Sequence, residues 1–306
     1  MDPRYFGYEE LQHTSKTAPP ASLAGLGMML PAPPLNVSQA LGAALALGLE
    51  RLEAQLLLLH ALGRPAQERA WLLAHDTDPL PPAAQAAYGL GVQRRAAGEP
   101  LAYITGHQEF YGLDLAVDAR VLVPRADTET LVDWAQEVLA ATRQARVLDL
   151  GTGSGAVALA LKATRPDLQV SAVDFSVEAL AVAQANAQRL QLEVGFSQGS
   201  WLSGVQGRFH ALVSNPPYIA DQDHHLAALT HEPLQALASG HDGLDDIRTL
   251  VQQAPAHLLA GGWLLLEHGY DQAQAVRTLL TENGFSQAQS RRDLAGIERC
   301  SGGLVP

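Results

Sequence analysis

The chain has 306 residues, of which 47% are hydrophobic and 17% charged, a balance typical of one large or two medium globular domains. Its 20 Lys and Arg residues against 32 Asp and Glu residues give a net charge of −12, which disfavours a surface that follows the phosphates of a duplex nucleic acid. The one cysteine, Cys300, excludes an internal disulfide framework and a cysteine-rich zinc site, and it fits a cytoplasmic protein.

Residues 1–35 are rich in proline, alanine, serine and glycine, and we predict that they form a flexible extension. They contain no basic region followed by an apolar core, so we expect no secretory signal. Elsewhere no apolar run approaches the length of a membrane span, so we expect no membrane partner.

Residues 36–102 have a helical pattern, which predicts a small bundle domain. Asn36 and Ser38 are candidate helix caps, while Pro65 and the proline cluster at 79–82 interrupt the pattern. The pattern changes over residues 103–124 to β-forming residues with two glycines, which predicts a β-hairpin that links two domains.

Residues 125–306 are predicted to form the second domain. A helix begins after Asp127 or Thr128, either of which is a candidate cap, and runs to about Ala141. Strand-like and helix-like segments then alternate, which indicates an α/β fold with a largely parallel sheet and helices on both faces. The predicted strands are 146–150, 169–174, 193–197, 209–214 and 262–267, and the predicted helices between them include 176–190 and 271–283. Residues 300–306 make a poor final strand.

A glycine-rich loop follows the first of these strands and opens a helix; it comprises Gly151, Thr152, Gly153, Ser154 and Gly155. Glycines let the backbone approach a ligand closely, and a helix N-terminus presents free N–H groups. Asp174 ends the next strand, where a carboxylate can accept both hydroxyls of a ribose. The loop alone is compatible with NAD, with S-adenosylmethionine, or with a glycine turn that binds nothing.

A second motif, Asn215-Pro216-Pro217-Tyr218, follows the predicted strand 209–214. Two prolines fix their own backbone angles and extend the residue before them, so they make a rigid lip. The lip offers the Asn215 amide and the Pro216 carbonyl, which together suit a small planar NH2 group. A plain proline turn is the alternative.

The order of these motifs resembles that of the class I S-adenosylmethionine-dependent methyltransferases that act on planar amino nitrogens, over roughly residues 145–270. Other segments resemble the HemK/PrmC family, whose members are N5-glutamine methyltransferases of peptide chain release factors. This second resemblance extends from about residue 36 to 299. The segments are 98–106, 109–112, 123–129, 232–233, 240–244, 267–269 and 292–296.

The resemblance implies a class I methyltransferase fold, Rossmann-like with a mostly parallel seven-stranded sheet, preceded by a helical substrate-recognition domain at 36–102. It also implies that S-adenosylmethionine is the cofactor, with its methionine part at the glycine loop, its ribose at Asp174 and its adenine against Trp201. Asn215 is implied to bind the cofactor as well. The family often has an acidic residue where this chain has Ser200. The residues implied to bind the substrate amide or to wall its pocket are Asn215, Pro216, Pro217, Tyr218 and Phe110, and those implied in catalysis are Asn215, Pro216 and Tyr218.

The expected activity is methylation of the glutamine in the Gly-Gly-Gln loop of class I release factors by a monomeric enzyme that holds no stable nucleic acid. Three alternatives remain: a glutamine methyltransferase of a large-subunit ribosomal protein, an amino-methyltransferase of nucleic acid, and a non-enzymatic cofactor-binding or interaction protein. Glu267 is interpreted as a structural carboxylate, and no dedicated catalytic base is expected. No metal is expected either, because adjacent histidines point to different sides of a helix or strand; the histidines considered are His224, His225, His231 and His241.

Overall fold

The computed structural model describes residues 34–306, so nearly all of the predicted extension 1–35 lies outside the described residues. The chain divides into two compact units between Thr105 and Gly106. None of the helices in the described range has both the length and the apolar character needed to cross a membrane.

The described part of the first unit, residues 34–105, is helical. Asn36 caps its first helix, because the Asn36 side chain accepts from the backbone N–H of Gln39 at 2.8 Å while the Gln39 side chain accepts from the backbone of Asn36 at 3.0 Å. Buried leucines from α2 and α3 form the centre of the core, together with Tyr88 from α4. The helices are α1 Val37–Ala46, α2 Arg51–Ala61, α3 Arg69–Ala74, α4 Pro82–Ala96 and α5 Leu101–Thr105.

The second unit begins with the antiparallel hairpin of β1 (His107–Phe110) and β2 (Leu113–Ala116). Tyr111 and Gly112 connect the strands with φ of 52° and 78°, the left-handed pair that matches the twist of a two-residue hairpin. The predicted hairpin region 103–124 was therefore too long, since α5 extends through its first three residues and no strand is assigned after Ala116.

A seven-stranded sheet forms the rest of the second unit, in the order β5-β4-β3-β6-β7-β9-β8. The four pairings among the first five strands in that order are parallel, whereas β9 is antiparallel to both β7 and β8. This arrangement confirms the predicted α/β methyltransferase fold. The strands are β3 Arg146–Leu150, β4 Gln169–Asp174, β5 Gly195–Gln198, β6 Phe209–Ser214, β7 Leu258–Glu267, β8 Ser286–Arg292 and β9 Glu298–Leu304. The helices are α6 Glu129–Val138, α7 Ala156–Thr164, α8 Val177–Leu190, α9 Asp245–His257 and α10 Ala273–Glu282.

The prediction of a poor final strand at 300–306 was wrong. Strand β9 lies between β7 and β8, and five of its seven residues are buried. Glycine is required there because of close packing: a Cβ on Gly302 would lie 2.6 Å from Leu265 Cδ2 and 2.9 Å from the Trp134 ring. Packing of α6 on the sheet thus outweighs the low strand propensity of glycine.

The start of α6 also differs from the prediction. A 3-10 turn over Ala126–Thr128 precedes the helix, and no side-chain hydrogen bond caps it. The Asp127 carboxylate lies 3.4 Å from the Arg299 guanidinium, and the Thr128 hydroxyl is turned toward Asn215. Both candidate caps have other partners.

Candidate active site

A cavity of about 300 Å³ lies in the second unit, at the carboxyl ends of the parallel strands. Doubly wound sheets bind ligands at this edge, beside the point where the strand order reverses, and here that point lies between β3 and β6. The segments after β3, β4, β5 and β6 all contribute to the walls. The predicted site residues among the lining are Gly151, Thr152, Gly153, Ser154, Asp174, Trp201, Asn215 and Pro217.

The glycine loop turns sharply between β3 and α7. Gly151, Gly153 and Gly155 have φ of 72°, 55° and 86°, values that residues with a side chain rarely adopt. At Gly151 the space is restricted as well, since a Cβ there would lie 3.1 Å from the Trp201 ring. The loop therefore brings its backbone directly against the indole.

Asn186, on α8, fixes the glycine loop to the hairpin. Its side chain is fully buried and donates to the carbonyls of Ser154 and Ala116, at 3.0 Å each. Its oxygen accepts from the backbone N–H of Ala116 at 2.8 Å. One amide thus satisfies three backbone groups and holds β2 close to the loop.

Two carboxylates, the buried Asp149 and the half-buried Asp174, accept hydrogen bonds from the loop. Asp174 accepts from the backbone N–H groups of Gly153 at 2.8 Å and Ser176 at 2.9 Å, and burial raises its pKa. Asp149 accepts from the Thr152 hydroxyl at 2.7 Å, and burial raises the pKa of this carboxyl to about 7. Each carboxylate oxygen has a second lone pair, so Asp174 keeps acceptor capacity for a ligand hydroxyl in the cavity that it lines.

Trp201 is held by a residue that the sequence reasoning did not select. Its indole N–H donates to Asp246 Oδ1 at 3.0 Å, and Asp246 Oδ2 accepts from the Ser239 hydroxyl at 2.7 Å. Trp201 itself has a φ of 53°, so its backbone conformation is strained and must be held by its surroundings. Asp246 lies two residues after the segment 240–244 noted in the resemblance, and its nearness to that segment was the available signal.

Asn215 directly follows the central strand β6 and lines the same cavity as Asp174. Its side-chain NH2 donates to the Thr128 hydroxyl oxygen at 3.2 Å. Glu267 ends β7, and burial raises the pKa of its carboxyl to about 7. Tyr218 donates to the same carboxylate at 3.4 Å. The Asn-Pro-Pro-Tyr motif is thus linked to the end of β7.

Two loops over the cavity are held together by an ion pair. Arg125 lies 2.5 Å from the carboxylate of Glu232, whose side chain is 2% exposed, and the second Glu232 oxygen accepts from the backbone N–H of Val123 at 3.1 Å. Pro124 and Pro233, which neighbour these residues, both line the cavity. Their segments, 123–129 and 232–233, were noted only for the resemblance.

Other predicted site residues do not line the cavity. Phe110 is buried, with 1% exposure, and its ring lies against Tyr111, so nothing in the described residues places it at the substrate pocket. Gly155, Pro216 and Tyr218 are also outside the lining. Ser200, where a family member often has an acid, does line it.

The premise used against a metal site was wrong. His224 and His225 do not point apart, because their ring centroids are 4.0 Å from each other. The Nδ1 atom of His225 lies 2.7 Å from Asp223 Oδ1, and the potential ligand atoms of these three residues lie within 4.8 Å of one another. The three residues are consecutive in an exposed or half-buried turn, and no further ligand joins them within residues 34–306.

The cavity fits S-adenosylmethionine. It combines a glycine loop with open space beside Gly153, a carboxylate suited to ribose hydroxyls at Asp174, and an indole at Trp201 that can pack on an adenine ring. Asn215 lines the same cavity, so a polar amide lies near the ligand site. These are the residues that could hold the cofactor.

Comparison with known proteins agrees with this geometry. Residues 128–240 match the family model of the methyltransferase small domain, and residues 36–106 match that of the PrmC N-terminal domain. A release factor glutamine methyltransferase of Bordetella pertussis is 51% identical over 262 residues, which are 84% of this chain and 96% of the relative. One of Xylella fastidiosa is 48% identical over 84% of this chain and 94% of the relative.

Among solved structures, the hMettl16 catalytic domain in complex with the MAT2A 3′UTR hairpin 6 matches with a TM-score of 0.53, over 73% of this chain and 84% of that chain. Its sequence identity is 13%, so it supports the fold alone. The family models and the two relatives decide the identity. The chain is an S-adenosylmethionine-dependent methyltransferase and belongs to the family of release factor glutamine methyltransferases.

Proposed function

We propose that the chain transfers a methyl group from S-adenosylmethionine to the side-chain amide nitrogen of the glutamine in the Gly-Gly-Gln loop of class I release factors. The observation that supports this most is that Asn215 shares one cavity with the glycine loop, Asp174 and Trp201. A substrate NH2 group held by Asn215 would be close to the cofactor. With a release factor as substrate, the enzyme would act in the cytoplasm.

The chemistry requires placement more than proton removal. When bound, S-adenosylmethionine supplies a methyl group that is already activated by its sulfonium. The nitrogen of a primary amide is a poor nucleophile because its lone pair is delocalised into the carbonyl. Fixing such a nitrogen in line for attack can supply roughly 7–11 kcal/mol of barrier reduction in favourable cases.

Asn215 and Pro216 are the residues proposed to place the nitrogen. The Asn215 side-chain oxygen and the Pro216 carbonyl are acceptors on a backbone that two prolines make rigid. They would hold both hydrogens of the substrate amide, and these hydrogen bonds would strengthen as positive charge develops on the nitrogen. The proton can leave after methyl transfer, so this proposal assigns no base.

A protein substrate is favoured over nucleic acid by the charge of the chain and by its relatives. The net charge of −12 opposes a phosphate-binding surface. Both relatives described above carry the name release factor glutamine methyltransferase, which specifies a protein substrate. Neither the ribosomal-protein alternative nor the non-enzymatic alternative has a comparable observation in its favour.

The experiment is a methylation assay with S-adenosylmethionine and a bacterial class I release factor, read by mass spectrometry of the Gly-Gly-Gln peptide. The wild-type enzyme should add one methyl group to the glutamine. Asn215→Ala should lower kcat by about 100- to 1000-fold, the usual cost of losing one preorganised hydrogen-bond partner. Its affinity for S-adenosylmethionine should be largely kept.

Asn283→Ala is the matched control, because the Asn283 side chain donates only to the carbonyl of Leu279 at the end of α10, far along the chain from the site. Its kcat should equal that of the wild type. An unmodified peptide in the presence of active control enzyme would refute the proposed function.

A further inference from the structure

One side chain, the amide of Gln272, bonds to three backbone groups that come from different parts of the second unit. Its NH2 group donates to the carbonyl of Tyr218 at 2.9 Å and to that of Asp242 at 3.3 Å. Its oxygen accepts from the backbone N–H of Gly269 at 2.8 Å. Gln272 thus connects the end of the Asn-Pro-Pro-Tyr motif to the segment 240–244 and to the residues that follow β7.

These partners fix which way the Gln272 amide faces. A backbone N–H can only donate and a backbone carbonyl can only accept, so the amide oxygen must face Gly269 and the NH2 group must face the two carbonyls. In a flipped amide, the oxygen would oppose two carbonyl oxygens and the NH2 group would oppose an N–H. The Tyr218 carbonyl is therefore held by a donor whose direction is set by all three partners.

The backbone of Tyr218 is also held by packing and by a second hydrogen bond. Gly243 has a φ of 74°, and a Cβ at this position would overlap the Tyr218 carbonyl oxygen and lie 2.8 Å from the Gln272 nitrogen. The Tyr218 N–H donates to the carbonyl of Leu237 at 3.2 Å. Both polar backbone groups of Tyr218 thus have partners in the structure.

The two prolines of the motif link Tyr218 to the substrate site. Pro216 and Pro217 have no N–H group, so neither can donate a backbone hydrogen bond that would hold the middle of the motif. The beginning of the motif is held by β6, which pairs with β3 and β7 on its two sides. Because the prolines restrict the backbone between the two ends, a displacement of the Tyr218 carbonyl would also move the Pro216 carbonyl and Asn215.

We infer that Gln272 is a positioning residue, whose amide anchors the end of the Asn-Pro-Pro-Tyr motif and so holds Asn215 and the Pro216 carbonyl in place for the substrate amide. This inference rests on the proposed function. Gln272 is outside the cavity lining, so it acts through the motif. It occupies the cap position of α10 but makes no cap hydrogen bond, although a short polar residue that did so would stabilise the helix better.

Gln272→Glu tests the inference, because glutamate has the same shape and still accepts from Gly269. Its second oxygen, however, would lie opposite the Tyr218 and Asp242 carbonyls and repel them. The single-turnover rate at saturating S-adenosylmethionine and release factor should fall by about 10- to 100-fold, the cost of a displaced binding group. The dissociation constant of the cofactor should stay within about twofold, because no residue of the cavity lining is replaced.

A double-mutant cycle with Asn215→Ala separates positioning from a general loss of stability. Asn215 and the Pro216 carbonyl are proposed to act as a pair on one NH2 group, so fixing the motif matters less once one of them is gone. Gln272→Glu should therefore lower the rate of the Asn215→Ala variant by less than about threefold. A merely structural role would lower the rate by the same factor in both backgrounds.

Gln274→Glu is the matched control, since it adds the same negative charge at the same end of α10. Gln274 is exposed, and its side chain bonds to Arg277 and Thr278 of the same helix. This variant should turn over at the wild-type rate. An equal loss of rate in Gln274→Glu and Gln272→Glu would attribute the effect to charge and overturn the inference.

The remaining outcomes separate the two proposals. A loss of cofactor affinity in parallel with the rate of Gln272→Glu, or an equal loss of rate in both Asn215 backgrounds, would overturn the positioning role. If the wild type fails to methylate the release factor at all, the proposed function is what fails. An active wild type with a fully active Gln272→Glu variant would refute only the positioning role.

Discussion

Replacement of Asp246 by alanine tests whether the Trp201 indole must be held in place before S-adenosylmethionine binds. The indole N–H donates to the Asp246 carboxylate at 3.0 Å, and the ring lies against Gly151 on its other side. A hydrogen bond to a charged group contributes about 1.5–3 kcal/mol. In the variant, water can replace part of that hydrogen-bond energy by accepting from the indole N–H, because the Asp246 position is only half-buried.

The expected loss of affinity follows from the freedom that the ring gains. Without Asp246, the cofactor must immobilise Trp201 on binding, at a cost of about 0.5–1.5 kcal/mol for one large side chain. That corresponds to a roughly 2- to 13-fold increase in the dissociation constant. The rate at saturating cofactor should change much less, since Asn215 and its partners are not contacted by Asp246.

Isothermal titration calorimetry with S-adenosylmethionine measures this directly, and Asp245→Ala is the matched control. Asp245 and Asp246 both lie in the first turn of α9, so either substitution removes one charge from the same helix end. The Asp245 side chain is 64% exposed and pairs with Arg248 instead of Trp201. Unchanged affinity in Asp246→Ala would refute the reasoning, and an equal loss in both variants would attribute the effect to the helix end.

Three further predictions concern stability and reactivity. In denaturant titrations, Gly302→Ala should lower the free energy of unfolding by about 1–3 kcal/mol, because the added methyl group would overlap Leu265. Gly89→Ala in α4 should raise that free energy by about 0.5–1 kcal/mol, because no atom lies within 4 Å of the added methyl group and alanine favours the helix. Asn186→Asp should lower both the thermal midpoint and the cofactor affinity, since a carboxylate would face the Ser154 and Ala116 carbonyls; equal values for the wild type would contradict this. Cys300 is fully buried and its thiol pKa is raised well above its usual value, so thiol reagents should label it only after unfolding.

The parts of the site that depend on local sequence could be predicted, and the parts that depend on distant contacts could not. The glycine loop follows β3 and Asp174 ends β4, two strands whose hydrophobic runs are clear, so topology places them together at one edge of the sheet. Thr128 meets Asn215 across 87 residues and Asp246 meets Trp201 across 45. No periodicity or spacing specifies such pairs, although these residues lie within or beside segments that resemble the family.

Propensity failed where packing decided the outcome. The stretch with Gly302 and Gly303 has few strand-forming residues, yet it forms β9, where the absence of side chains leaves room for Trp134 and Phe285. Thr128 has the right position and side chain for a helix cap, but its hydroxyl accepts a hydrogen bond from Asn215 instead. In both cases a tertiary contact outweighs the local preference.

The position of β9 between β7 and β8 has a consequence for the order in which the sheet can form. β8 precedes β9 along the chain but hydrogen-bonds to the sheet only through it. During synthesis, β8 therefore has no strand to pair with, and the edge of β7 stays unpaired, until residues 298–304 have emerged from the ribosome. Open strand edges promote aggregation, so nascent chains of this enzyme should depend on chaperones most strongly in that interval.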